Sequence, residues 1–186
     1  MFQYGTADFS ISFYLRAPNW TNYNNNCIVA KKLNDNDTGF VNFRNNSQTQ
    51  MNMRVAGTNN LSTTTSVLNK KWVHWAFVRK DGIGYWYRNG VLDATGTCDG
   101  NASSTDLLRI GYHAQWTTRA VYDLKALRIY NRALNLNEIN ALKDEFGTIT
   151  YRIHAENQSL TFYPYPNNQT VSIQYTTIAD SSSISF

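Results

Sequence analysis

The sequence predicts an all-β protein, an antiparallel sandwich or barrel, and three observations carry that expectation. Apolar and polar residues alternate with a period of two through most of the chain. Turn signals recur at intervals of about 8–12 residues. Only one segment has helical spacing. The composition agrees. Of 186 residues, 42% are hydrophobic and 14% aromatic, while 16% are charged. Asn alone accounts for 23 residues. Disordered chains are poor in aromatics and rich in charge, so this composition argues against disorder. An uncharged polar surface with many aromatics suits a β-protein that meets neutral polar ligands. The chain is long enough to bury a core without metal or disulfide staples.

The elements follow in order. Phe9 to Leu15 alternates and reads as a strand, ended by Pro18 and Asn19. The Asn-rich run from Asn19 to Asn26 reads as a loop. Cys27 to Ala30 starts a strand, Asn34 to Gly39 is a hairpin loop, and Phe40 to Arg44 returns. Met51, Met53 and Val55 face one way along the next strand. Trp72 to Val78 is apolar on both faces, which predicts a strand covered on both sides. Lys80-Asp81-Gly82 is a turn. Tyr85 to Arg88 is a strand, and Asn89-Gly90 is a type I′ hairpin signal leading into Val91-Leu92. Leu107 to Gly111 and Val121 to Tyr130 supply two more strands.

One helix is expected near residues 135–146. Asn135 is an N-cap with Glu138 three residues on, as in a capping box. Ile139, Leu142 and Phe146 recur at helical spacing, and Gly147 stops the run. Residues 148–186 then alternate again at Ile149, Tyr151 and Ile153, at Leu160 and Phe162, and at Val171, Ile173 and Tyr175. Bare strands cannot hold a core alone. They are expected to join the first sheet, pair with another copy, or dock on a protein partner.

The net charge is +4, but the basic residues are scattered, the longest clusters being pairs such as Lys31-Lys32 and Lys70-Lys71. That pattern excludes an arginine-rich or finger-type nucleic-acid binder. No apolar run approaches the roughly 18 residues of a membrane span, so no membrane insertion is expected. The first residues lack a basic n-region and an apolar h-region, so no signal peptide is visible. Cys27 and Cys98 cannot form a metal site alone; they read as two unpaired, partly buried thiols, with a pairing between them left open.

The central motifs carry a resemblance. Trp72-Val73-His74-Trp75-Ala76-Phe77-Val78 followed by Tyr85-Trp86-Tyr87-Arg88-Asn89-Gly90 resembles the W-x-H-x-A-x-V and Y-x-N-G core of the concanavalin A-like, laminin-G-like jelly rolls. Leu108 to Gly111 is similar to the strand that follows there. Leu127 to Leu134 with Glu138-Ile139 resembles the closing strand and short helix, and Asp8 to Phe13 the opening strand. Two departures stand out. Ala120-Val121-Tyr122 replaces the usual aromatic-x-Gly, and Lys125-Ala126 stands where an acidic residue is common. The resemblance implies a two-sheet antiparallel jelly roll over residues 1–147, with a C-terminal β-extension over 148–186. Many relatives have an extra strand before the opening one, and Leu160–Phe162 and Val171–Ile173 are candidates to fill that edge.

Enzymes of the same superfamily split glucans with paired carboxylates, arranged as E-x-D-x-x-E on one strand. Here the Glu residues are only Glu138, Glu145 and Glu156, and the first two fall on the helix. No strand carries two acids at i and i+2. No G-x-S-x-G is present, and neither Cys has a marked base partner. The chain therefore reads as a non-enzyme. His74 reads as a packed strand histidine. No cofactor is expected, with calcium the one exception to weigh. Some relatives bind it in loops, and Asp35 and Asp37 offer oxygen ligands, although the bidentate Glu is missing and the segment reads equally as a plain hairpin loop.

Sugar recognition needs exposed rings to stack on pyranose faces and amides to meet hydroxyls. Two loops have both. One holds Trp20 and Tyr23 among Asn residues; the other holds Tyr112, His113, Gln115, Trp116 and Arg119. The expectation is a non-catalytic module that recognises a glycan or cell-surface polysaccharide. It would sit on the outside of a cell or virion, in a phage particle or a secreted bacterial assembly. The alternative is a structural decoration or fibre protein whose residues 148–186 mediate assembly or homo-oligomerisation.

Overall fold

The computed structural model describes residues 3–17, 26–34, 36–44, 49–57, 59–67, 70–115, 122–145, 148–152 and 170–174. Twelve strands and one helix lie among them. In order they are β1 (Phe9–Arg16), β2 (Asn26–Lys31), β3 (Phe40–Arg44), β4 (Met51–Val55), β5 (Asn59–Ser62) and β6 (Val73–Lys80). There follow β7 (Ile83–Arg88), β8 (Val91–Thr97), β9 (Arg109–Ile110), β10 (Asp123–Tyr130), α1 (Leu136–Asp144), β11 (Thr148–Arg152) and β12 (Thr170–Gln174). The chain divides into a unit of residues 1–140 and a unit of residues 141–186.

The first unit is an antiparallel sandwich. One sheet has the order β10-β1-β6-β7-β8 and the other β5-β4-β3-β2-β9. Their inner faces share one core, in which Phe9, Ile11, Phe13, Phe40, Met51, Met53, Trp75, Phe77 and Trp86 are buried. The period-two pattern places these side chains: Met51, Met53 and Val55 all point inward, as their alternation predicts. Trp75 meets Trp86 edge-on at 6.3 Å, and the Trp86 indole N–H donates to the Leu61 carbonyl at 3.1 Å. The ring edge and the buried donor are thus both satisfied.

Strand β6 is buried on both faces from Val73 to Arg79, in keeping with its unbroken apolar run. Its outward His74 is a packed histidine, with Ser12 Oγ 2.9 Å from Nε2 and the Tyr14 ring at 5.0 Å. Asn89 and Gly90 both have positive φ (49° and 80°), the geometry a type I′ hairpin demands. At Gly39 (φ 111°) a Cβ would overlap the Lys31 carbonyl oxygen, so only glycine lets the β2–β3 loop return. Helix α1 starts on a closed capping box: Asn135 N–H donates to Glu138 Oε2 at 2.9 Å, and Glu138 N–H to Asn135 Oδ1 at 3.0 Å.

Lys125-Ala126, the departure at the closing strand, coincides with a bulge. Ala126 has φ 53°, and the β1–β10 register shifts between Ser12 and Tyr14. In the second unit, β12 pairs in parallel with β11, with Val171 opposite Ile149 and Ile173 opposite Tyr151. Residues 171–173 thus pair with β11 in a two-stranded sheet. Residues Leu160 to Phe162 lie outside the described residues.

Candidate functional site

Strand registers bring one set of loops to one end of the sandwich. The end of β1 pairs with the start of β6 (Leu15 with Val73) and the start of β10 (Arg16 with Asp123). The end of β7 meets the start of β8 (Arg88 with Val91). In the other sheet, Asn26 pairs with Arg44 and Arg44 with Met51. The two sheets are tied here: the Tyr122 hydroxyl donates to Ile28 O at 3.1 Å, and Thr64 N–H to Asp93 Oδ2 at 2.7 Å. Ala17 and Asn26 flank the first aromatic loop of the sequence, and Gln115 and Tyr122 flank residues 116–121 of the second. All four anchor at this same end.

Of the expected site residues, Trp20, Tyr23, Trp116 and Arg119 lie outside the described residues. Tyr112 is half-buried, with its hydroxyl 3.3 Å from Ala114 O. Gln115 is exposed. His113 is fully buried, and its Nδ1 accepts the Gln115 N–H at 3.3 Å. Its geometry holds the Gln115 backbone in place rather than offering a ring to solvent. Of these three, Tyr112 and Gln115 reach the surface.

The same end holds a pocket of about 430 Å³ lined by Thr64, Thr65, Arg88, Asn89, Val91, Leu92 and Asp93. The sequence reading passed over it. One signal was available: Trp86 points inward, so Arg88, two residues on, shares its face at the hairpin end. Arg88 Cζ lies 6.0 Å from the Trp75 ring centroid, at the far edge of a cation–π contact. Nearby, Trp72 takes two cations, Lys125 Nζ at 4.5 Å and Arg16 Cζ at 5.1 Å from its ring. Burial and then the Arg16 charge lower the Lys125 pKa.

At the opposite end, an open concavity of about 700 Å³ is lined by residues that include Asp8, Asp81, Asp99 and Arg132. Three carboxylates invite comparison with a sugar-splitting pair. Asp8 Oδ1 accepts the Asp81 N–H at 3.0 Å, so it holds the β6–β7 turn. Asp81 and Asp99 are exposed. Glu138 is committed to the helix cap and to Arg132, at 2.7 Å from Nη2 to Oε1.

No group of three or more His, Cys, Asp or Glu side chains arranged to hold a metal occurs among the described residues. Asp35 lies outside them, and Asp37 Oδ2 accepts the Asn34 N–H at 3.3 Å within its own loop. Cys27 and Cys98 are both free and buried. Burial raises both thiols, Cys98 to about 11. No helix among the described residues is long and apolar enough to cross a membrane.

A family model described as the concanavalin A-like lectin/glucanases superfamily (Laminin_G_3) matches residues 2–140. No curated protein matches the chain. Among solved structures, the binding domain of Paraclostridial Mosquitocidal Protein 1 is similar, with TM-score 0.63 and 16% identity; the match covers 78% of this chain and 39% of that one. The botulinum neurotoxin serotype G binding domain matches with TM-score 0.59 and 22% identity, over 78% of this chain and 38% of that one. A Bacteroides ovatus ATCC 8483 protein provisionally described as carbohydrate binding matches with TM-score 0.60 and 17% identity, over 73% and 40%. At these identities the likeness is one of fold, and the chain spans about two fifths of each of these three structures.

Proposed function

The chain belongs to the concanavalin A-like lectin/glucanase superfamily, and on that footing we propose that it is a non-catalytic recognition module for a glycan or cell-surface polysaccharide. Residues 2–140 carry the family match. The observation that carries the proposal is that the described flanks of both sequence loops, Ala17 and Asn26 for one and Tyr112 to Gln115 for the other, lie at one end of the sandwich, where Tyr112 and Gln115 reach the surface. Rings there supply faces for sugar C–H groups, and amides meet hydroxyls. Trp20, Tyr23, Trp116 and Arg119 are proposed to complete the surface, and His113 to brace it. The similar folds include binding domains of a mosquitocidal protein and of a botulinum neurotoxin, which supports the same reading. The setting we propose is the outside of a cell or virion, within a phage particle or a secreted bacterial assembly.

A glycan array read with the full chain tests this. Binding that falls with Trp116→Ala or Gln115→Ala is the expected result. Absence of binding to any glycan at high valency counts against it.

A second reading rests on β11 and β12. A two-stranded sheet is marginal by itself in water. We propose that residues 148–186 anchor the module to a protein partner or a second copy. Deleting them is expected to abolish assembly while glycan binding persists.

A further inference from the structure

The Arg88 pocket carries a cation that the protein itself leaves unanswered. Among the described residues the buried Nε of Arg88 has no hydrogen-bond partner and Arg88 has no ion-pair partner; its ring contact is with Trp75. A buried guanidinium nitrogen left unpaired costs stability unless something else meets it. The adjacent Asp93 is not that partner. Its carboxylate accepts the Thr64 N–H at 2.7 Å, the Thr65 N–H at 3.3 Å and the Thr65 hydroxyl. The acid is spent on the Thr64-Thr65 turn, and Arg88 lines the pocket beside it.

The rest of the pocket suits a sugar. Asn89 Oδ1 accepts the His74 N–H at 3.0 Å, so its amide nitrogen remains as a donor. The Thr64 hydroxyl donates to Asp93 O at 3.0 Å and can still accept from a ligand hydroxyl. Val91 and Leu92 are 70% and 52% exposed at the mouth, apolar surface of the kind a sugar ring's C–H face covers.

We propose that this pocket seats the carboxylate of an acidic sugar, a uronic or sialic acid unit, on Arg88. A planar carboxylate matches the guanidinium fork. A single negative charge also suits a site holding one cation next to a spent Asp; a phosphate dianion would meet Asp93 with twice the repulsion. The inference rests on the glycan-recognition reading and names the class of sugar it takes.

The test uses the full chain, with sialyllactose and galacturonate oligomers as probes. Their carboxyl-reduced counterparts, lactose and sulfolactose serve as comparisons. Arg88→Gln removes the fork. Val91→Glu, at an exposed position, adds a repelling charge without touching the core. The expected result is binding of the carboxylated probes that weakens about tenfold or more on carboxyl reduction and in both variants. Equal retention of neutral and acidic sugars, unmoved by either variant, overturns the inference and leaves the recognition reading standing. Preference for sulfolactose overturns the carboxylate assignment. No binding to any probe overturns the acidic-sugar assignment, and the glycan array then decides the recognition reading separately.

Discussion

The Arg79 guanidinium carbon lies 4.7 Å from the Phe9 ring centroid, stacked on a core aromatic while fully buried itself. Its nitrogens close the end of the sandwich opposite the loops: Nε donates to Ala7 O at 2.9 Å, Nη1 to Gly100 O at 2.7 Å and Nη2 to Gly5 O at 2.9 Å. One planar cation thus ties the approach to β1 to the segment after β8. Arg79→Met fills the space but strands three carbonyls. The expected loss is about 3 kcal/mol or more, read as a lower urea midpoint. Arg79→Lys is expected to recover only part, because an ammonium cannot span all three acceptors in a plane.

The two thiols give a second check. Burial keeps both protonated at ordinary pH, and the thiolate is the reactive form. Neither Cys27 nor Cys98 is expected to react with dithionitrobenzoate at pH 8 in the folded chain. Both are expected to react in urea. Prompt reaction of the native chain would contradict the burial described here.

A third concerns acid. The Arg132 side chain, and then the Asn135 N–H, pull the Glu138 carboxyl down to about 2 from its ordinary value of 4.5. A lowered carboxyl pKa stabilises the folded form above the unfolded value, and the benefit fades as pH falls through the folded one. Glu138→Gln should therefore lower the unfolding midpoint at pH 6 and make little difference near pH 2. A variant penalty that does not change with pH would place the role of Glu138 in packing alone.

Glycine supplies a fourth. Gly39→Ala forces a Cβ onto the Lys31 carbonyl at a positive φ, so the β2–β3 hairpin must open. The variant is expected to unfold at a temperature several degrees lower. An unchanged melting point would mean the loop has another way to close.

Much of this architecture was legible because period-two alternation and turn chemistry are local. Phe9–Leu15, Met51–Val55 and the Asn89-Gly90 hairpin follow directly from them. Strand β5 was not legible: Asn59 to Ser62 lacks a run of β-branched or aromatic residues, and the strand exists because β4 offers Arg54 and Val55 as partners. The pairing of Val171–Ile173 was equally hidden, since an exposed edge and a neighbouring strand both satisfy the same alternation. At the site, ring-and-amide content marked the Tyr112–Arg119 loop but could not tell that His113 turns inward. Arg88 was read as an ordinary strand residue, because nothing local records that Asp93 is spent on Thr64 and Thr65.

The most direct measurement mixes the full chain with immobilised oligosaccharides and follows two signals together, retained protein and newly formed reducing ends. The account predicts retention on at least one glycan with no new reducing ends over many hours. Accumulating reducing ends, or no retention on any glycan at high density, would contradict it.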